Sequence, residues 1–138
     1  MFVDKCHHSK EENLLFPAME AVGIPRQSGP ISAMLSEHQT GRKYIQCMQE
    51  SFDTYMTGEK TEFGRFVQNA INYVDLLRLH IEKENQILFP MVDEWILENK
   101  WGELIKGFQK IEEDRIGPGK HEEFHKMLEE LKGIYLTR

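Results

Sequence analysis

Two stretches of the chain share a pattern of residues that could ligate a metal ion. Residues 6–20 read CHHSKEENLLFPAME, and residues 79–93 read LHIEKENQILFPMVD. Aligned, the two stretches share H-x-x-K-E-x-x-x-L-F-P. The shared positions pair His7 with His80, Glu11 with Glu84, and Pro17 with Pro90. A repeated spacing of this kind is not readily explained by chance, and it selects His7 and Glu11 over their neighbours His8 and Glu12.

The spacing of histidine and glutamate in this repeat has a direct structural meaning. Residues four apart lie on one face of a helix, with their Cβ atoms about 5–6 Å apart. A His and a Glu so placed can ligate one metal together, or the Glu can bridge to a second metal. Two such helices facing each other offer two imidazoles and two carboxylates, a set that suits iron, manganese or zinc better than calcium or magnesium.

A third imidazole extends this ligand set. His38 falls on the apolar stripe of its own predicted helix, between Met34 and Gly41, and buried histidines need partners. The predicted metal ligands are therefore His7, Glu11, His38, His80 and Glu84, with His121 and His8 as further candidates. Taken singly, each of these residues would more readily be an ordinary core or surface side chain.

Two other metal patterns are present but disfavoured. Residues 121–125 read HEEFH and satisfy the zinc-protease pattern H-E-x-x-H, but no later histidine or cysteine remains to act as a third ligand. A ferritin-like centre needs Glu-x-x-His on two helices, and that spacing occurs only at Glu122 and His125. The H-x-x-K-E repeat therefore remains the favoured site.

The elements that must position these residues are predicted to be helices. Turn-forming residues at 23–30, 57–61 and 117–119 interrupt stretches whose apolar residues recur at steps of three and four. The proline six residues after each repeated Glu is expected to kink or end its helix. The predicted helices span about 2–20, 31–57, 61–97, 99–114 and 119–136. The predicted core residues outside the site are Phe52, Phe63, Phe66, Ile71, Leu77, Leu88 and Phe89.

Length and composition set further limits. A chain of 138 residues is expected to form one domain, 1–138, with a core at 2–97 and a helical extension at 98–138. Its net charge of -6 argues against binding to nucleic acid or to an anionic membrane surface. No apolar run approaches the roughly 20 residues of a membrane helix. Two cysteines do not make a disulfide framework, so we expect a reduced, cytoplasmic protein.

The repeat, together with the segment SAMLSEHQTGR between its halves, resembles the hemerythrin-like HHE cation-binding family over about residues 2–96. The resemblance implies an all-α, antiparallel up-down helical bundle that holds a non-haem di-iron centre. It implies that the iron ligands are His7, Glu11, His38, His80 and Glu84, with the two glutamates bridging. Members of the family bind dioxygen, sense oxygen or iron, or handle nitric oxide and repair iron–sulfur clusters.

The sequence departs from the oxygen-carrying hemerythrins at several points. Arg42 stands one turn after His38 where those proteins have a second histidine, and Glu84 follows His80 by four residues instead of an aspartate by five. These differences favour the family members that handle nitric oxide or iron. The resemblance also implies a further N-terminal helix with another His ligand, and we expect the given sequence to begin after that helix. We favour the hypothesis that the chain is a fragment with a weakened site; the alternatives are that His121 or a neighbouring chain in a homodimer replaces that ligand.

The leading hypothesis for function is a protein with two iron ions that binds dioxygen or nitric oxide at an open iron position, with zinc or manganese as alternative metals. A metal-dependent redox enzyme, acting on nitric oxide or peroxide or repairing iron–sulfur clusters, is the second hypothesis. The sequence contains no separate acid–base or nucleophile constellation, so any chemistry would be that of the metal. A helical interaction module with a structural metal is the third hypothesis.

Overall fold

The computed structural model describes residues 3–115, 117 and 119–135, without the side chains of Val3, Lys5, Asn99, His121 and Tyr135. Every regular element in these ranges is helical, which confirms the predicted all-α fold. None of the described helices is long and apolar enough to cross a membrane. Cys6 and Cys47 are not bonded to each other in the structure.

The helical elements follow the predicted order. Three π-helical segments, which we call π1 to π3, and six α-helices make up the described chain. In chain order they are π1 (Val3–His8), π2 (Glu11–Leu15), α1 (Phe16–Ala21), α2 (Gly29–Met56), α3 (Glu62–Lys83), π3 (Glu84–Leu88), α4 (Phe89–Trp95), α5 (Glu98–Arg115) and α6 (Lys120–Tyr135). Each predicted helix boundary lies within about two residues of an observed one.

Proline and glycine explain where the long helices begin and end. Pro30 occupies the first turn of α2, where its missing N–H costs no hydrogen bond. Gly58 lies in the turn after α2 with a φ of 110°, a conformation that side chains with a Cβ rarely adopt. The turn between Met56 and Glu62 reverses the chain, so that α3 packs antiparallel against α2.

The repeated Leu-Phe-Pro sequences produce a repeated backbone feature. The five residues before Phe16 and the five before Phe89 are π-helical, and an α-helix resumes at each phenylalanine. A proline within a helix lacks one hydrogen bond and its ring presses on the carbonyl four residues earlier, and a wider π-turn relieves both effects. The prolines therefore distort the helix, as predicted, but do not end it.

The described chain divides into two compact units. The first combines Met1–Leu15 with Leu97–Arg138, and the second is Phe16–Ile96. This division describes how the chain packs locally. Whether residues 1–138 form a single domain with a core at 2–97 remains a prediction. In the first unit α5 packs against π1 and π2. Gly107 permits this contact, because a Cβ there would lie 2.7 Å from Leu14 Cδ1.

The second unit is built on the α2–α3 hairpin and is buried most deeply at one end. Its fully or nearly fully buried apolar side chains are Phe16, Met19, Ile24, Ile31, Met34, Leu88, Val92 and Ile96. All of them belong to the first part of α2 or to the segments α1 and α4 with their adjoining residues. The apolar core of this unit therefore surrounds the beginning of α2 and the end of α3, where His38 and His80 also lie.

The opposite end of the hairpin does not match the predicted core. Phe52, Phe63 and Ile71 are 46%, 56% and 49% exposed, so their assignment to the core was wrong, whereas Leu88 is fully buried as predicted. Phe66, Leu77 and Phe89 are part-buried. Phe52 contacts Phe66 and Tyr55 contacts Phe63, which links α2 to α3 at this end. Two helices can bury only the sides that face each other. A row of apolar residues on one face of a helix does not reveal whether another element packs over that face.

Candidate metal centre

Two buried imidazoles from neighbouring helices form the core of the candidate site. His38 of α2 and His80 of α3 are 1% and 3% exposed, and their ring centroids lie 4.9 Å apart. Gly41, one turn beyond His38, allows the helices to approach closely here, because a Cβ at this position would lie 3.3 Å from Tyr73 Cε2. The rings of Phe16 and His38 are stacked with centroids 6.1 Å apart. The two histidines thus lie in a buried and closely packed region.

Glu84 adds a carboxylate to this pair. Its Oε1 lies 2.8 Å from His80 Nε2, and its side chain is 4% exposed. Two adjacent ligands, each about 2.0–2.1 Å from one cation, lie roughly 3 Å apart, so His80 and Glu84 already have the separation of neighbouring ligands. His38, His80 and Glu84 each offer one ligand atom, and these atoms lie within 4.8 Å of one another.

A second carboxylate, that of Glu37, was not predicted as part of the site. Glu37 Oε2 accepts a hydrogen bond of 2.8 Å from His80 Nδ1, and Glu37 Oε1 is ion-paired with Lys83 Nζ. Glu37 directly precedes His38, and Lys83 belongs to the H-x-x-K-E repeat. These two positions were the only hints in the sequence that Glu37 belongs to the site. To predict that Glu37 pairs with Lys83, one would have to know the register of α2 against α3.

The first unit contains the other His/Glu pair of the repeat. His7 Nε2 lies 2.7 Å from Glu11 Oε1, which reproduces the 2.8 Å separation of His80 and Glu84. Glu11 is buried with its side chain 4% exposed, whereas that of His7 is 48% exposed. Lys10, the repeat's other lysine, pairs with Glu112 of α5 at 3.5 Å. Each repeat lysine thus pairs with a carboxylate from another helix.

The further candidate histidines differ in their surroundings. His8 is 5% exposed and its Nδ1 lies 3.4 Å from Asp4 Oδ1. The side chain of His121 lies outside the described part of the structure. His125, the last residue of the H-E-x-x-H pattern, is exposed on α6. Burial alone therefore favours His8 over His7, while the distance to Glu11 and the repeat favour His7.

The donor set of the second unit fits a transition-metal ion. Imidazole nitrogen with carboxylate oxygen suits iron, manganese and zinc. A carboxylate as buried as that of Glu84 is costly without a compensating positive charge. The Glu37 carboxylate accepts a hydrogen bond from His80 Nδ1, which would leave Nε2 as the nitrogen that binds a cation. These residues could hold a metal ion with little rearrangement.

Comparisons with known proteins agree with this chemistry. The chain is 33% identical over 86 residues to the iron-sulfur cluster repair protein YtfE of Enterobacter sp. (strain 638). It is 34% identical over 86 residues to the protein of that name from Escherichia coli O81 (strain ED1a), and 36% over 87 residues to that from Salmonella paratyphi B. Each match covers 61% of this chain and 39% of the relative, so the chain matches about two fifths of the length of these curated relatives.

No solved structure matches the chain. At the level of the family, the hemerythrin HHE cation binding domain matches residues 1–92, which include both copies of the H-x-x-K-E repeat and His38. This match extends over about two thirds of the sequence and confirms the resemblance drawn from the repeat. The chain belongs to the hemerythrin HHE cation-binding domain family.

Proposed function

We propose that the chain is a non-haem di-iron protein that binds a diatomic molecule, dioxygen or nitric oxide. The observation that carries the proposal is the repeated His/Glu pair, with separations of 2.7 Å at His7–Glu11 and 2.8 Å at His80–Glu84. On the basis of the repeat, each pair contributes one imidazole and one carboxylate, and His38 contributes a third imidazole. Zinc or manganese are the alternative metals for this set of ligands.

The residues of the second unit have separate tasks in this proposal. His80 and Glu84 bind the cation together, and His38 binds from the facing helix. Phe16, which is fully buried, stacks on the His38 ring and helps to exclude water. Bound iron would supply reversible electron transfer and a position for a diatomic ligand, since three histidines and two carboxylates leave the coordination of two irons incomplete.

Nitric oxide chemistry linked to iron–sulfur cluster repair is the second candidate function. It is favoured by the curated relatives, whose name is iron-sulfur cluster repair protein. Because this chain spans only part of those relatives, their activity as whole proteins is carried over here as a proposal. The candidates differ in their outcome, because a binding protein releases nitric oxide unchanged and an enzyme consumes it.

An anaerobic titration tests the proposal. Iron-loaded protein is reduced and titrated with nitric oxide while the visible absorption spectrum is recorded, and a second sample is exposed to dioxygen. We expect a new absorption band that saturates with one of the two gases in wild-type protein and in His125→Ala, and no band in His80→Ala. An iron-loaded protein whose spectrum responds to neither gas would contradict the proposal. Continuous loss of nitric oxide would favour the enzyme.

A further inference from the structure

The position of Glu37 suggests a task that the metal-ligand pattern alone does not assign. Glu37 lies on α2 and reaches His80 on α3, where its Oε2 accepts the 2.8 Å hydrogen bond from Nδ1. Its other carboxylate oxygen is ion-paired with Lys83. The Glu37 side chain is 15% exposed and that of His80 is 3% exposed. Both oxygens of Glu37 are thus engaged by α3, at two positions separated by three residues.

This arrangement fixes the orientation of the His80 ring in two ways. A carboxylate can only accept from Nδ1, so the contact with Glu37 fixes a hydrogen on Nδ1 and makes Nε2 the nitrogen that can bind a cation. The ring also cannot flip, because a flip would exchange Nδ1 and Cδ2 and break the contact with Glu37. Nε2 then stays 2.8 Å from Glu84 Oε1, where the two ligand atoms lie side by side.

We propose that Glu37 is the positioning residue of the metal centre, holding His80 in the tautomer and orientation that bind a cation. Histidines that bind metals commonly donate their second ring N–H to such a carboxylate, and loss of that partner typically lowers metal affinity about 10- to 100-fold. Lys83 in turn holds the Glu37 carboxylate over α3. The inference rests on the proposed metal site but does not depend on which metal occupies it.

The chain offers a matched control for this proposal. Glu50 also lies on α2 and is also ion-paired with a cation on α3, with its Oε2 3.9 Å from Arg65 Nη2. Its side chain is 53% exposed, and it lies more than three helical turns from Glu37 on α2. Replacing Glu50 with leucine therefore removes an ion pair between the same two helices without touching the His80 ring.

Zinc affinity, measured by competition with a chromophoric chelator at fixed pH, is the first readout. For Glu37→Leu we expect an affinity about 10- to 100-fold lower than wild type. Glu37→Gln should lose less, because its amide oxygen can still accept from Nδ1. Lys83→Met should lose less than about fivefold, since half-exposed ion pairs contribute little. Glu50→Leu should bind zinc like wild type.

The nitrogen resonances of the His80 ring, recorded on zinc-loaded protein labelled with ¹⁵N, are the second readout. We expect zinc on Nε2 and a slowly exchanging proton on Nδ1 in wild type and Glu50→Leu. In Glu37→Leu we expect loss of the slow Nδ1 proton or a mixture of ring states. If Glu37→Leu does not fold by circular dichroism, Glu37→Gln provides both readouts.

Wild-type zinc affinity together with wild-type His80 resonances in the Glu37 variants would overturn the positioning role and leave the proposed function standing. Binding of zinc that depends on Glu37, in a protein that never takes up iron, would support the positioning role and contradict the di-iron proposal. A wild-type protein that binds neither metal would overturn both. The two inferences therefore fail in distinguishable ways.

Discussion

The imidazole rings of His38 and His80 lie 4.9 Å apart, although His38 belongs to α2 and His80 to the last turn of α3. Both side chains are buried, and Glu84 Oε1 lies 2.8 Å from His80 Nε2. A change at any of these residues should therefore affect metal binding more strongly than a change at an exposed histidine of the chain.

Loss of His80 or Glu84 should abolish metal binding. Each of these two side chains supplies one of the candidate ligand atoms, which lie within 4.8 Å of one another and of the ligand atom of His38. Replacement of either with alanine should lower metal affinity more than about 100-fold. Loss of a residue that only hydrogen-bonds to a metal ligand typically costs up to about 100-fold, and loss of a ligand itself should cost more. His125→Ala, which removes an exposed histidine of α6, is the control and should bind normally. Metal content after desalting measures all three variants, and normal content in His80→Ala would contradict the assignment.

His7 and His8 should respond differently to replacement. The repeat pairs His7 with His80, so His7→Ala should lose metal as His80→Ala does. His8 is 5% exposed, so His8→Ala should lower the free energy of unfolding by roughly 0.5–3 kcal/mol, the range typical of point mutations, while metal binding is retained. Urea denaturation and metal analysis separate these effects. Loss of metal in His8→Ala with retention in His7→Ala would show that the ligand is His8.

Close approach of α2 and α3 at Gly41 should be required for the site. A leucine at this position would extend into Tyr73 and Leu76, whose side chains would lie 3.3 and 3.5 Å from its Cβ. Overpacking of this kind typically costs about 1–3 kcal/mol, and it should also weaken metal binding by separating His38 from His80. Gly64→Leu is the matched control, because a Cβ there would meet no atom within 4 Å beyond its chain neighbours and the backbone of its own helix. Equal behaviour of the two variants would contradict the claim.

Removal of metal should destabilise the protein without unfolding it. A ligand that binds only the folded state adds about 2.7 kcal/mol of stability at a concentration 100 times its dissociation constant. Buried apolar residues such as Phe16, Ile31 and Leu88 remain to hold the helices of the second unit. We therefore expect a chelator to lower the melting temperature while most of the helical circular dichroism at 25 °C persists. An unchanged melting temperature would mean that these side chains do not share a cation.

The helices could be predicted from the sequence because their signals are local. Pro30 and Gly58 mark the ends of α2, and the apolar period marks its length. The pairing of His80 with Glu84 was also predictable, since both lie on one helical face. The repeat prolines predicted a distortion of the helix. They did not predict the π-helical form of Glu11–Leu15 and Glu84–Leu88, because a proline indicates only which backbone hydrogen bond is lost.

The parts that were missed depend on how helices pack. Glu37 reaches His80 across the α2–α3 interface, and no spacing along one helix reveals such a contact. Phe52 and Phe63 lie on apolar stripes, yet they are exposed because a stripe identifies a face and not the layer that covers it. Lys10 and Lys83 directly precede Glu11 and Glu84 in the sequence, but they pair with Glu112 and Glu37 on other helices. Register between helices is the information that the sequence lacked.

Metal analysis combined with absorption spectroscopy tests the central claim most directly. The protein is purified from cells supplied with iron, its metal content per chain is measured, and spectra of the aerobic and reduced forms are compared. We predict two iron ions per chain and an absorption spectrum that changes on reduction. One zinc ion per chain with no iron under these conditions, or a spectrum that does not respond to reduction, would contradict the di-iron centre.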